Sequence, residues 1–143
     1  MTELSPRLRR IVDALPLTPG IRVLEIGGGP GAAARAVAER LTDGGTIVMI
    51  DRSATSIDLA RRGATELIAA GTLQLRQVAA EDFTLESGED PFDLVFGIRV
   101  GALDGRHPTA GAVALQRLAV AVKPTGRLFI DGGDPLRELT LPR

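Results

Sequence analysis

The sequence predicts an α/β protein built on a doubly wound parallel sheet of about five strands. Short β-branched, apolar segments alternate with segments of helical periodicity, and glycine-rich or proline-rich turns separate them. The strand segments lack a polar alternation, as expected of strands that are covered on both faces. Because parallel neighbours need helix-length crossover connections, this alternation places helices on both sides of the sheet.

The first predicted element is a helix that begins after Ser5-Pro6, an N-cap followed by the proline that a first turn tolerates, and ends before Pro16. Its apolar residues recur at helical spacing at Leu8, Ile11, Val12 and Leu15. A basic cluster on the same helix, interpreted as a solvated face with a phosphate contact as the alternative, comprises Arg7, Arg9 and Arg10.

Three strands and two helices are expected next. The strands cover residues 22–26, 46–50 and 73–78, and the helices cover 32–41 and a segment that ends near residue 70. Ser53 or Thr55 caps the second of these helices, and Gly71 closes it. The apolar, β-branched character of the second strand is typical of a strand in the middle of a parallel sheet.

The second half of the chain continues the alternation. Strands are predicted at 92–98 and 127–130, and Thr109 is expected to cap the helix between them. Residues 123–126, Lys-Pro-Thr-Gly, are expected to end that helix. The residues predicted to face the core from it are Val113, Leu115, Leu118, Ala119 and Val122.

Composition limits the classes of function. The 143 residues suffice for one domain, taken as 1–143, with its own core. A formal net charge of -1 gives no long-range attraction to nucleic acid or anionic membranes, so neither is an expected partner. The absence of cysteine excludes disulfides and thiol nucleophiles, and we predict no metal site. No signal-peptide or membrane-spanning segment is present, which predicts a cytoplasmic protein.

A glycine-rich segment joins the first predicted strand to its helix. Residues 27–31 read Gly-Gly-Gly-Pro-Gly, where bare backbone lets a ligand approach closely. Asp51 ends the second strand, and a carboxylate there can accept hydrogen bonds from both hydroxyls of a ribose. The carboxyl ends of parallel strands share one edge, so a nucleotide site is expected there. Gly27, Gly29 and Ala32 also fit a dinucleotide fingerprint, which leaves an NAD-dependent oxidoreductase as an alternative.

Further motifs extend this pattern over residues 23–131. The first motif, residues 24–31, contains the glycine-rich segment and carries the acidic Glu25 two positions before its first glycine. The second, residues 48–53, contains Asp51. Phe-Asp-Leu-Val at 92–95 and Val-Lys-Pro-Thr-Gly-Arg-Leu at 122–128 follow. In this order the motifs resemble those of the class I S-adenosylmethionine-dependent methyltransferases. The resemblance implies a Rossmann-like methyltransferase fold with S-adenosyl-L-methionine as cofactor.

The resemblance also implies which residues meet the cofactor. The third strand of the family leads into an adenine-binding loop, where many relatives carry an acidic or amide residue but this sequence has Ala79. The adenine contact is therefore expected to fall to Ala80 backbone and to Glu81 or Asp82. The expected cofactor-binding residues are Glu25, Gly27, Gly28, Gly29, Gly31, Asp51, Arg52, Ala80, Glu81 and Ile98.

The resemblance further implies that the methyl acceptor lies over the loop after the fourth strand, residues 97–108. This loop lacks the Asn/Asp-Pro-Pro-aromatic signature of enzymes that methylate amide or nucleobase nitrogen, so a small-molecule acceptor is expected. His107 and Asp104 are the candidate general bases. Arg99 is the candidate substrate-binding residue, for an acidic acceptor.

The family fold adds two antiparallel strands after the fifth strand. Here only residues 132–143 follow, interrupted by Pro135 and Pro142, so the sheet is predicted to stop at five strands. An uncovered apolar edge strand favours association, which predicts a homodimer. A shortened fold also leaves open a second function, binding of S-adenosylmethionine or S-adenosylhomocysteine without catalysis, alone or as a partner subunit.

Overall fold

The computed structural model describes residues 4–143, so the first three residues of the predicted domain lie outside it. The helices are α1 (Pro6–Ala14), α2 (Ala32–Arg40), α3 (Ala54–Arg62), α4 (Thr65–Ala69) and α5 (Pro108–Ala121). The strands are β1 (Arg22–Ile26), β2 (Thr46–Asp51), β3 (Leu73–Gln77), β4 (Phe92–Gly97), β5 (Val122–Asp131) and β6 (Leu136–Leu139). None of these helices is both long enough and apolar enough to cross a bilayer.

The six strands form one sheet in the order β3-β2-β1-β4-β5-β6. The first five pair in parallel, and β6 pairs antiparallel with β5. This confirms the predicted doubly wound parallel sheet. The chain reverses its direction of winding between β1 and β4, and in sheets of this kind ligands bind beyond the carboxyl ends of the strands at that point.

Two hydrophobic clusters cover the two faces of the sheet. Side chains from α1, α2 and α3 pack on the face that carries Val23, Ile47 and Met49. The opposite face, with Leu24 and Val48, packs against α5 and the segment around Phe83. Strand side chains alternate between faces, so consecutive apolar residues, such as Val23-Leu24 in β1 and 47–50 in β2, are what a sheet covered on both faces requires.

The helix predicted from residue 53 or 55 to residue 70 is divided. Ser53 caps α3, accepting a hydrogen bond from the Ser56 N–H, and Gly63 ends that helix. Ala64 then adopts a backbone conformation that is not helical, with φ -140° and ψ 32°, before α4 begins. The break follows from the glycine, which is a poor helix former, and from burial of Ala64 against the core.

The core-facing side of α5 differs from the predicted one. Val113 is 45% exposed, whereas the buried residues of the helix are Gly111, Ala114, Leu118 and Ala121. A β-carbon at position 111 would overlap the carbonyl oxygen of Ala102, so the helix approaches the preceding loop through its small residues. Because apolar residues occur on several sides of α5, the sequence did not indicate which side of the helix faces the core. The helix begins at Pro108, one residue before the cap predicted at Thr109, and no side chain caps it.

The last strands of the sheet also differ from the predicted ones. β5 begins at Val122 and includes residues 123–126, which were predicted to end the preceding helix. These residues form an irregularity opposite Asp93, and regular pairing with β4 resumes at Arg127. β6 then covers the outer edge of β5. The sheet therefore does not stop at five strands. The uncovered edge from which the homodimer was predicted is occupied by β6.

An ion-pair cluster ties the loop before β4 to the sheet. Glu89 pairs with Arg22 of β1 and with Arg76 of β3, and the Glu89 side chain is only 8% exposed. We expect Glu89→Gln to lower the free energy of unfolding by about 2 kcal/mol, because the half-buried guanidinium groups lose their counter-charge. Urea unfolding measures this. Glu138→Gln is the control, since its pair with Arg127 is exposed and little change is expected; equal losses in both variants would contradict the expectation.

Candidate functional site

A cleft of about 1050 Å³ opens at the carboxyl edge of the sheet. Its walls come from the segments after β1, β2, β3 and β4 and from the first turns of α5. These are the segments in which the sequence placed the ligand. The volume is sufficient for a nucleotide-sized ligand together with a small second molecule.

The glycine loop after β1 is held against the end of β2. The N–H groups of Gly27 and Gly28 both donate to the carbonyl oxygen of Ile50, at 2.8 and 3.2 Å. The Gly29 N–H donates to Asp51 Oδ2 at 2.9 Å. These three amides are therefore used within the protein, so the loop does not direct them at a ligand anion.

The glycines of this loop serve different purposes. No heavy atom lies within 4 Å of a β-carbon built at Gly29, whose φ is +58°, so this position faces open space. A β-carbon at Gly28 would overlap the Met49 side chain, and one at Gly31 would lie 3.0 Å from the Ala60 β-carbon. Packing alone therefore explains glycine at 28 and 31. Gly27 lines the cleft and Gly29 faces open space, so of the predicted glycines these two leave the backbone accessible.

Asp51 lies at the carboxyl end of β2 and lines the cleft. Its Oδ1 accepts a hydrogen bond from the Ser53 N–H at 2.8 Å, and its Oδ2 accepts from the Gly29 N–H. An ionised carboxylate offers about four acceptor positions, so two stay available. The two backbone contacts fix the carboxylate in place, which suits it to accept hydrogen bonds from a pair of ribose hydroxyls.

Glu25 lies beneath the glycine loop and is 2% exposed. Its Oε1 has no hydrogen-bond partner and lies 3.0 Å from the position of a β-carbon at Gly28. Burial raises the pKa of Glu25 to about 8, and the Asp51 carboxylate adds to this effect. An unpartnered buried acceptor next to a second carboxylate favours a cationic ligand group above the loop. The residues present thus fit the sulfonium and ammonium groups of S-adenosylmethionine.

The segment after β3 forms the opposite lip of the cleft. Residues Ala80–Asp82 adopt a short 3₁₀ helix in which Ala80 is buried and Glu81 is half-buried, and both line the cleft. Arg52 lines the same side. Ile98 was predicted to meet the cofactor but packs against the core cluster of α1, α2 and α3. Strand alternation turns it away, so that prediction is not supported by the geometry.

Val100 takes the place predicted for Ile98. Its Cγ2 lies 3.0 Å from the β-carbon positions of both Gly27 and Gly97, and it lines the cleft. The side chain thus lies between the carboxyl ends of β1 and β4, at the centre of the site. Sequence reasoning missed Val100 because a valine near the end of a strand carries no signal of its own.

Arg99 adopts a φ of +57°, which is uncommon for a residue with a side chain. Its N–H donates to Asp131 Oδ1 at 3.0 Å, and its carbonyl oxygen accepts from Arg106 Nη2 at 3.0 Å. Asp131 is in turn paired with Arg7 of α1 at 2.6 Å. Three charged residues therefore hold the Arg99 backbone in its unusual conformation. Asp131 could have been found from the sequence, since it ends β5 as Asp51 ends β2.

The two candidate bases occupy different positions. Asp104 pairs with Arg106 at 2.9 Å and does not line the cleft, and the hydrogen-bonded Arg106 guanidinium lowers the pKa of Asp104. A carboxylate stabilised in its charged form is a poor proton acceptor. His107 does line the cleft, and its exposed ring lies against Gly101.

A known protein family matches most of the chain. The family model described as "Methyltransferase domain" matches residues 23–126, from the start of β1 into β5. The chain belongs to this methyltransferase family. The predicted membership in the class I S-adenosylmethionine-dependent methyltransferases is thereby confirmed.

The relatives of this chain are longer than the chain itself. It is 35% identical to Nocamycin O-methyltransferase of Saccharothrix syringae over 144 residues, which cover 95% of this chain and 47% of that protein. The chain thus spans about half the length of the curated relative that it matches. Within residues 4–143, no group of three or more His, Asp or Glu side chains could hold a metal ion.

Solved structures share the fold of this chain. A methyltransferase from Thiobacillus denitrificans, in complex with S-adenosyl-L-homocysteine, aligns with a TM-score of 0.67 at 24% identity over 88% of this chain and 48% of its own. The cyclase SpnF aligns with a TM-score of 0.70 at 21% identity over 86% and 42%. Because one of these neighbours is named as a cyclase, the fold alone does not determine the reaction.

Proposed function

We propose that this domain binds S-adenosyl-L-methionine in the cleft and transfers its methyl group to an oxygen atom of a small molecule. The observation that carries the proposal is the fixed Asp51 carboxylate beside the open Gly29 position, with the unpartnered Glu25 carboxyl beneath. An oxygen acceptor is favoured by the 35% identical relative, which is named as an O-methyltransferase.

Each part of the cofactor has matching residues in the cleft. Asp51 would hold the ribose hydroxyls, and the segment Ala80–Asp82 with Arg52 would border the adenine. Gly27 and Gly29 would let the methionine portion approach the backbone. The Glu25 carboxyl, whose pKa of about 8 favours the neutral form in the free protein, would lose its proton to face the bound cation with a negative charge. When bound, the cofactor supplies an electrophilic methyl group on a sulfonium.

The protein residues then align the acceptor and exclude water rather than supply strong acid or base catalysis. Val100 would confine the acceptor against the carboxyl ends of β1 and β4. His107 is the catalytic candidate that the geometry favours, because it lines the cleft and an imidazole can take the proton of a hydroxyl acceptor near neutral pH.

The alternative of an NAD-dependent oxidoreductase is disfavoured by the backbone of the glycine loop. A dinucleotide pyrophosphate needs free N–H groups in this loop. Here the amides of Gly27, Gly28 and Gly29 donate to Ile50 and Asp51 instead, and Glu25 adds an acidic group below them. This arrangement repels an anion and attracts a cation.

Calorimetry and a transfer assay test the proposal. We expect S-adenosylmethionine and S-adenosylhomocysteine to bind and NAD to give no heat above the dilution control, because the loop favours a cationic methionine group. Radiolabelled S-adenosylmethionine would then be incubated with phenols, carboxylic acids and amines, and label is expected in a hydroxyl or carboxyl acceptor. Preference for NAD would refute the proposal. Tight binding of S-adenosylmethionine without transfer to any acceptor would favour the non-catalytic binding protein.

A further inference from the structure

The charges around the cleft are divided between its two sides. Asp51, Glu81 and Asp82 lie on the side formed by the segments after β2 and β3. The side formed by the β4 loop and α5 carries Arg99 and Arg117. Arg52 is the basic residue on the acidic side. A cationic cofactor and an anionic second ligand would each find the complementary charge in such a cleft.

The basic side of the cleft is not neutralised by neighbouring acids. Asp104 and Asp131, the carboxylates of the adjoining loops, are already paired with Arg106 and Arg7 at 2.9 and 2.6 Å. Within residues 4–143, the guanidinium groups of Arg99 and Arg117 form no ion pair. Both side chains are exposed on the wall of the cleft, so they are free to meet a ligand.

The backbone at Arg99 gives a second, independent reason to assign it a role. Asp131 binds its N–H and Arg106 binds its carbonyl oxygen, so the surrounding charges hold a non-glycine residue at a φ of +57°. Such conformations persist where neighbouring residues fix them, and they are frequent at ligand sites. Glycine would adopt this conformation at lower cost, so the backbone geometry does not explain why this residue is an arginine.

We propose that Arg99, with Arg117 on the same wall, binds an anionic group of the methyl acceptor, which therefore carries a carboxylate or a phosphate. The proposal rests on the methyltransferase function proposed above, and it names the class of its substrate. A guanidinium donates two parallel hydrogen bonds to either anion, so the two sources share one recognition chemistry. Val113, which is 45% exposed and also lines the cleft, offers an apolar contact for the body of the acceptor.

Binding of three related probes tests the proposal. The ¹⁵N-labelled chain, saturated with S-adenosylhomocysteine, is titrated with 4-hydroxybenzoate, phenyl phosphate and the uncharged 4-hydroxybenzamide, and the amide resonances of residues 99–102 are followed. We expect at least one anion to bind about ten-fold more tightly than the benzamide, because only an anion gains a charge-assisted pair. The relative affinities of the two anions identify the carboxylate or the phosphate as the preferred group.

Variants separate recognition from folding. Arg99→Gly removes the guanidinium at a position whose φ favours glycine, so the chain is expected to melt no earlier than the wild type. We expect it to lose about ten-fold in affinity for the anion while its affinity for S-adenosylhomocysteine is unchanged. Arg61→Gln, which removes an exposed arginine of α3 outside the cleft lining, is the matched control and should keep both affinities.

Three results would overturn the proposal: affinities for both anions no higher than for the benzamide, no saturable binding of either anion at millimolar concentration, or equal losses in Arg99→Gly and Arg61→Gln. Failure of S-adenosylhomocysteine to bind is a different outcome, which refutes the proposed function. The anion titrations are therefore repeated without it. A preference for the anions in that experiment would support the anion site independently of the proposed function.

Discussion

Replacing Glu25 with glutamine is expected to raise the free energy of unfolding near neutral pH by about 3 kcal/mol. The carboxyl is 2% exposed, its Oε1 has no partner, and burial together with Asp51 raises its pKa to about 8. Near neutral pH the carboxyl is ionised in the unfolded chain and must take up a proton on folding, which costs free energy. A glutamine of nearly the same shape is neutral in both states and removes this cost.

The pH dependence gives the sharper test. The pKa of Glu25 rises from 4.5 to about 8 on folding, so between these values the unfolded chain binds fewer protons than the folded one. The stability due to this carboxyl is therefore complete below the lower pKa and is lost as pH rises through the higher one. Urea unfolding at about pH 5 and about pH 8 should show a fall in the wild type that is much smaller in Glu25→Gln.

Glu39→Gln supplies the control for this experiment, because Glu39 is an exposed glutamate of α2. It should follow the wild type at both pH values. A Glu25→Gln variant that is less stable than the wild type at both values would show that the carboxyl is held by contacts other than those seen here. A parallel pH slope in the two proteins would equally contradict the raised pKa.

The same variant is expected to bind S-adenosylhomocysteine about ten-fold more weakly, since an amide, unlike the Glu25 carboxyl, cannot ionise beside the ammonium group of the ligand. An increase in stability together with a loss of affinity is expected when the replaced group destabilises the fold but contributes to ligand binding. Calorimetry on the two proteins at one pH measures the affinity. Unchanged affinity would restrict Glu25 to a structural role.

Replacing Asp51 with alanine is expected to weaken the binding of S-adenosylhomocysteine by about a hundred-fold, the loss of two charge-assisted hydrogen bonds. The carboxylate also accepts from the N–H groups of Gly29 and Ser53, so its removal loosens the glycine loop and the start of α3. Both effects act in the same direction on affinity.

Two further variants separate these effects. Asp51→Asn retains an acceptor for one of the two backbone amides and should lose less affinity than the alanine variant. Asp58→Ala removes an exposed aspartate of α3 outside the cleft lining and should bind as the wild type does. Calorimetric titration of all four proteins provides the comparison. Affinity within three-fold of wild type in Asp51→Ala would remove the ribose contact from the proposed site, since about 0.6 kcal/mol is below one such hydrogen bond.

Local patterns predicted most elements of the fold. The bounds of β1 agree with the sequence, and Ser5 caps α1 as expected because capping depends on neighbouring residues only. The prediction was wrong where distant residues decide. The sixth strand exists because residues 136–139 meet the open edge of β5, and four residues between prolines carry no such signal on their own.

The candidate site divides in the same way. The glycine loop, Asp51 and the family to which the chain belongs follow from sequence, because spacing along strands and turns fixes the carboxyl edge of a parallel sheet. Only the tertiary structure places Val100 between Gly27 and Gly97, and only it brings Arg7 and Asp131 to the backbone of Arg99. These contacts join residues far apart in the chain. Their geometry depends on how the helices and loops pack, which no local pattern encodes.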